Sequence, residues 1–323
     1  MNRRTLLAGT VGFLAAPLAV KAQPATKTYR VGLLAGGSPP SHRAPLTEAL
    51  RELGYVEGQN LLIESRYAEG RPESLPSLAA ELVRLKVDVI VTVTTPATVA
   101  AKDATATIPI VMTDVGDALA TGLIAGLARP GGNVTGLSIA GSEIAKRALE
   151  VLKDAVPSLG RVAVVRSSAN PAQVFGYREM EALAKAMGVA LRPVDGISGA
   201  DLDRIFTDIR GLDPDALLVM PLNTTRSDWR RIADFAVKSR LPASGGDARS
   251  AEAGLLMACF PQEGNRFPRV GVFVDKILKG ASPADLPVEQ STKSKLVING
   301  KTAKILGLTI PPTVLARADE VIQ

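Results

Sequence analysis

The stretch Asp88-Val-Ile-Val-Thr-Val-Thr-Thr-Pro96 (DVIVTVTTP) has an answering stretch 127 residues on, Asp215-Ala-Leu-Leu-Val-Met-Pro-Leu-Asn-Thr-Thr225 (DALLVMPLNTT). Each is a short apolar run that ends in hydroxyl and amide side chains, the mark of a buried parallel strand feeding a helix. The flanking runs repeat in the same order. Val31 matches Val162, Val89 matches Ala216, and Pro109 (in ATIPIV) matches Pro242 (in SRLPAS), at offsets of 131, 127 and 133. Offsets this constant predict two similarly built α/β lobes.

Working outward, strand-like runs fall at Tyr29–Leu34, Leu61–Arg66, Val87–Val93 and Ile108–Met112, with helical spacing at 42–53, 71–85 and 95–105. The second half gives strands at Arg161–Arg166, Gly188–Pro193, Asp215–Met220 and Arg240–Ala243, with helices at 171–187, 200–210 and 225–239. A βαβαβ succession implies a parallel sheet covered by helices on both faces. Arg129–Gly136 (RPGGNVTG) reads as a connector. The chain continues with a strand at Ala253–Phe260, a helix at Glu263–Leu278, a strand at Lys295–Ile298 and a helix at Lys301–Leu306. Several crossings between lobes imply a hinge and a cleft. The expected division is lobe 1 at 23–138 plus about 258–290, and lobe 2 at 139–257 plus 291–323.

Residues 1–22 are read as a leader. Arg3 and Arg4 precede an uncharged run, Thr5–Val20, too short for the roughly 20 residues of a membrane span. Val20-Lys21-Ala22 then has small residues at cleavage spacing. Removing Arg3, Arg4 and Lys21 lowers the net charge of the 323-residue chain from +6 to +3. The expected mature protein is periplasmic, cut near Ala22, with no membrane anchor. Its basic residues alternate with acidic ones and gather into no stripe, so nucleic acid is not an expected partner.

Composition narrows the chemistry. One cysteine, Cys259, excludes an intrachain disulfide and a cysteine metal cluster. One histidine, His42, leaves little room for a Ser-His-Asp triad. The glycines of 32–37 are not followed by Lys-Ser/Thr, so they form no P-loop, and Gly131-Gly132…Gly136 lacks dinucleotide spacing. Cys259 reads as a buried apolar residue, Trp229 as a helix residue packing on its lobe, and His42 as a cleft-edge imidazole. No catalytic constellation, metal site or cofactor is expected.

Ligands of open parallel sheets sit beyond the carboxyl ends of strands. The residues there are Gly36-Gly37-Ser38, Thr94-Thr95-Pro96 and Asp114–Asp117 in the first half. In the second half they are Asn170 before Pro171, then Asn223-Thr224, then Asp247 after Gly245-Gly246. Bare backbone, helix N-termini and hydroxyls suit a carboxylate, and Asp117 or Asp247 could accept from an ammonium. The expected ligand is a small zwitterion or polar acid. Thr95, Asn170 and Thr225 also fit a plainer role as helix caps.

Longer words carry a family resemblance: LRELGYVEGQN (50–60), YAEGRPE (67–73), LAAELVRLKVDVIVT (78–92), LARPGGNVTGLS (127–138), VDKILKGASPADLPVEQ (274–290) and LVINGKTAKILGLTIPPTVLARADEVI (296–322). The chain resembles the ABC-transporter substrate-binding proteins that include the TrpX-like tryptophan binders. That resemblance implies a type I periplasmic binding protein: two flavodoxin-like lobes, a three-strand hinge and no catalysis. It implies a monomer delivering solute to membrane permease subunits with a separate ATPase. Carried over, the family's cleft loops match Gly36, Gly37, Ser38, Thr94, Thr95, Pro96, Asp117, Asn170, Asn223, Thr224 and Asp247. Members often carry a Met-Ser-Tyr-Gly-like return strand where this chain has Met257-Ala-Cys-Phe-Pro261, without the tyrosine hydroxyl. Two other functions fit the same letters: a periplasmic sensor for a signalling receptor, and an exported hydrolase using Asp114 and Asp117.

Overall fold

The structure, a computed structural model, describes residues 27–37, 42–196, 199–222, 225–262 and 265–323. The expected leader, Ser38, Asn223 and Thr224 lie outside the described residues.

The first half folds as β1 (Tyr29–Ala35), α1 (Arg43–Glu52), β2 (Leu61–Tyr67), α2 (Leu75–Arg84), β3 (Val89–Val93), α3 (Thr95–Ala104), β4 (Ile110–Gly116) and β5 (Val134–Ile139). The second folds as α4 (Gly141–Ala155), β6 (Arg161–Arg166), α5 (Pro171–Ala186), β7 (Ala190–Asp195), α6 (Leu202–Leu212), β8 (Ala216–Val219), α7 (Arg226–Lys238), β9 (Ala243–Gly245), α8 (Ala248–Ala253) and β10 (Met257–Pro261). The remainder is α9 (Phe267–Leu278), β11 (Glu289–Ser291), β12 (Ser294–Asn299), α10 (Gly300–Leu306), α11 (Pro312–Leu315) and β13 (Glu320–Ile322).

These strands form two sheets, ordered β11-β5-β4-β3-β1-β2 and β13-β12-β10-β9-β8-β6-β7. The five-strand core of each has the doubly wound order 2-1-3-4-5. The sequence repeat is a repeat of register. Val31 pairs with Val89 in the first sheet, and their counterparts Val162 and Ala216 pair in the second. The prolines correspond too: Ile90 N–H donates to the Pro109 carbonyl, and Leu217 N–H to that of Pro242.

Strand alternation sends side chains to both faces, and each face is sealed by a helix pair. Val31, Leu33 and Val91 pack against α1 and α9, while Leu34, Ile90 and Met112 pack against α2 and α3. In the second sheet, Val162, Val164 and Leu218 meet α4 and α5. Ala163, Leu217 and Val219 meet α6 and α7, where Trp229 is fully buried as expected.

The chain passes between the sheets three times, after Ile139, after Pro261 and after Ser291. Two backbone bonds tie these crossings together: Ala140 N–H to the Ser291 carbonyl and Gln262 N–H to the Lys293 carbonyl. The boundary expected near 258 needs correction. Strand β10 pairs over its whole length with β12, antiparallel, so the crossing falls after Pro261. Helix α4 is absent from the elements expected on sequence, as are α8, β11 and β13. Among the described residues no helix is long and apolar enough to cross a membrane.

Candidate ligand cleft between the lobes

Strand carboxyl ends from both lobes converge on one cleft of about 430 Å³. Val93, Gly116 and Ile139 end strands in the first wall, and Val219, Gly245 and Pro261 in the second.

The first wall is polar and locally strained. Thr94, Asp114 and Asp117 all have positive φ (87°, 54° and 46°), a conformation that costs non-glycine residues energy and gathers at ligand clamps. Asp114 owes its position to a β-bulge. Met112 pairs with Gly136 and Val115 with Ser138, so Thr113 and Asp114 together stand opposite one residue, Leu137. The extra residue turns the Asp114 carboxylate to the cleft, where the Arg266 guanidinium donates to it. The Thr94 side chain makes no capping hydrogen bond to α3, which begins at the cleft with Thr95 and Pro96. The partial positive charge of that helix end faces the space between the lobes. Thr95 itself is buried and accepts from the Gly116 N–H at 3.1 Å.

Asp117 joins the lobes. Its two oxygens accept from the Ser142 N–H (2.8 Å) and hydroxyl (2.9 Å) at the start of α4. Burial pushes its carboxyl above the usual range, against the pull of those bonds. Asp247 is likewise engaged. It caps α8 through the Arg249 N–H (2.8 Å) and forms a two-pronged pair with the Arg249 guanidinium at 2.9 and 2.6 Å. Asn170 caps α5 by accepting from Ala172 N–H at 3.1 Å. The plain capping role therefore describes the side chains of Asn170 and Asp247, and Thr225 caps α7 with a full capping box.

Of the residues picked from sequence, Gly37, Thr94, Thr95, Pro96, Asp117, Asn170 and Asp247 line the cleft. Gly36 does not. Its carbonyl accepts from the Gly70 N–H in a turn beside it. The Asp114 and Asp117 carboxylates sit in different environments: one is exposed with Arg266, the other buried with Ser142. His42 stands at the cleft edge as expected. Burial lowers its imidazole below the ordinary value, with Asp114 opposing.

The same cleft has an apolar part, a slot lined by Ile144, Ala145 and Ala148 of α4 together with Met220 and Cys259. Sequence reading beyond strand ends misses these residues, as it misses Arg266 and Ser244. Cys259 is buried, its thiol 3.7 Å from the Ile144 carbonyl, and burial pushes the thiol up to about 11. Native protein at pH 8 should therefore resist alkylation that goes to completion in denaturant, as read by intact mass. Because the unfolded thiol ionises near 8.5, this group's share of stability is full below that pH and is lost as pH rises towards 11.

Two lobes with matched topology, three crossings and a cleft at the strand ends define a type I periplasmic-binding fold, which solute-binding proteins of much lower identity share. The chain belongs to the ABC transporter substrate binding protein family, which it matches over residues 34–322. It is 26% identical over 261 residues, 81% of this chain and 75% of the relative, to a tyrosine-binding protein of Clostridioides difficile. A conserved domain protein of Vibrio cholerae is similar in structure, with TM-score 0.79 and 30% identity over 91% of this chain and 100% of the other. An ABC domain of Streptococcus pneumoniae in complex with L-Trp has TM-score 0.79 and 28% identity, covering 92% of this chain and 100% of that one.

Proposed function

We propose that this protein is the exported solute-binding component of an ABC importer, and that it traps an amino acid with an apolar, aromatic side chain between its lobes. The observation that carries this reading is the cleft's two-part lining. A polar mouth at Thr94, Asp114 and the open end of α3 suits the charged head of an amino acid. The slot under α4 suits a flat apolar body, whose burial is worth about 25 cal/mol per Å². The relatives named for tyrosine and crystallised with tryptophan support the same class.

In this reading the three crossings act as a hinge. A ligand touching both lobes stabilises the closed arrangement over the open one. Permease subunits of the inner membrane would then receive the closed protein. Thermal unfolding of ligand-stripped protein tests the class against a panel of aromatic amino acids, aliphatic amino acids, dipeptides and sugars. An aromatic amino acid at 100 times its dissociation constant should add about 2.7 kcal/mol of stability. A shift confined to sugars or dipeptides would reject the reading.

A further inference from the structure

We propose that Ser244 sets side-chain specificity. Its hydroxyl is the hydrogen-bonding partner for a polar atom at the far end of the ligand's ring, such as a phenol hydroxyl. The proposal rests on the reading that the cleft holds an aromatic amino acid.

Ser244 is the middle residue of β9, 1% exposed. Its neighbour Ala243 packs into the core beneath α7, so alternation turns Ser244 to the opposite face, under α4. Its register partners there are Leu218 and Met257, both apolar core residues of the α4 side. Neither offers a side-chain partner for a hydroxyl. Accordingly the Ser244 hydroxyl is buried without a hydrogen bond among the described residues. Such a group costs about 1–3 kcal/mol unless something satisfies it. The other buried polar atoms without partners among the described residues, including those of Trp229 and Tyr67, belong to residues that do not line the cleft, whereas Ser244 does.

Ser244 lines the same slot, whose walls are small. Ala145, Ala148 and Cys259 leave open the space that larger side chains would fill. A ligand whose charged head stays at the mouth, near half-exposed Asp114, has its ring directed inward towards Ser244. A ring bearing a donor or acceptor at its tip satisfies the hydroxyl. An unsubstituted phenyl ring leaves it unpaired and excludes the water that could otherwise serve it. Sites built around such a hydroxyl reject the analogue that lacks the matching group.

Isothermal titration of L-tyrosine and L-phenylalanine into wild-type protein and Ser244→Ala provides the test. Wild type should bind tyrosine at least tenfold more tightly than phenylalanine. Ser244→Ala should lose about tenfold for tyrosine and nothing for phenylalanine, and without ligand it should melt at or above the wild-type temperature. Equal wild-type affinities, a preference that survives the substitution, or equal losses for both ligands would overturn the Ser244 assignment while leaving the functional reading intact. Binding of neither amino acid by folded wild type would overturn this assignment, and if L-tryptophan also fails to bind, the functional reading with it.

Discussion

Gly136→Ala is expected to destabilise the protein by on the order of 3 kcal/mol, from backbone strain and overpacking together. Gly136 has φ of 122°, and a Cβ placed there would lie 2.3 Å from the Met112 carbonyl oxygen and 2.7 Å from its nitrogen. Both are backbone atoms of β4 and cannot swing aside as a side-chain tip can. Met112 also opens the bulge that presents Asp114, so relief by moving β4 would disturb the cleft wall. Denaturant titration should show the loss as a lower midpoint. A change under about 0.5 kcal/mol, ordinary for a surface substitution, would contradict the account of the bulge.

Gly116→Ala should act on binding more than on folding. Gly116 ends β4 in the first lobe, and a Cβ there would come within 2.9 Å of the Ala172 Cβ in the first turn of α5, in the second lobe. Its φ lies outside the left-handed region, so the backbone itself tolerates alanine. The added methyl therefore wedges between the lobes. Under the proposed hinge closure, overpacking of about 1–3 kcal/mol falls on the closed arrangement and corresponds to roughly 5- to 150-fold weaker binding. Ala172→Gly removes the atom that the methyl meets. The double variant should accordingly recover most of the affinity, at a helix cost of up to about 1 kcal/mol in stability. Loss of affinity with no recovery in the double variant would place the effect elsewhere than at this contact.

The repeated architecture was legible because its signal is redundant. Two sets of strands carry matching words, and even the Val31–Val89 register has its counterpart in Val162–Ala216. Short elements escaped because β11 and β13 have three residues each, too few to display any period. Helix α4 escaped for another reason. It starts with Gly-Ser-Glu one residue after β5, past the connector read at Arg129–Gly136, in a stretch for which no element was expected. The cleft was half legible. Strand ends located Thr94, Thr95 and Asp117, but residue type cannot say whether a cap's oxygen serves its own helix or a ligand. Asn170 and Asp247 serve their helices. Asp114 meets Arg266 across 152 residues of sequence, a pairing that only the fold reveals. Ser244 lies within a strand rather than beyond it, and what singles it out is a buried hydroxyl with no partner among the described residues.

The most direct measurement is a calorimetric titration of ligand-stripped wild-type protein, Gln23 onward, with L-tyrosine and L-tryptophan, and with tyramine, which lacks the carboxylate. The account predicts one site per chain for at least one of the amino acids, and binding at least tenfold weaker for tyramine, since the polar mouth and the open end of α3 hold the carboxylate. No heat from either amino acid, with the protein shown to be folded, would contradict the claim that the interlobe cleft is an aromatic amino acid site.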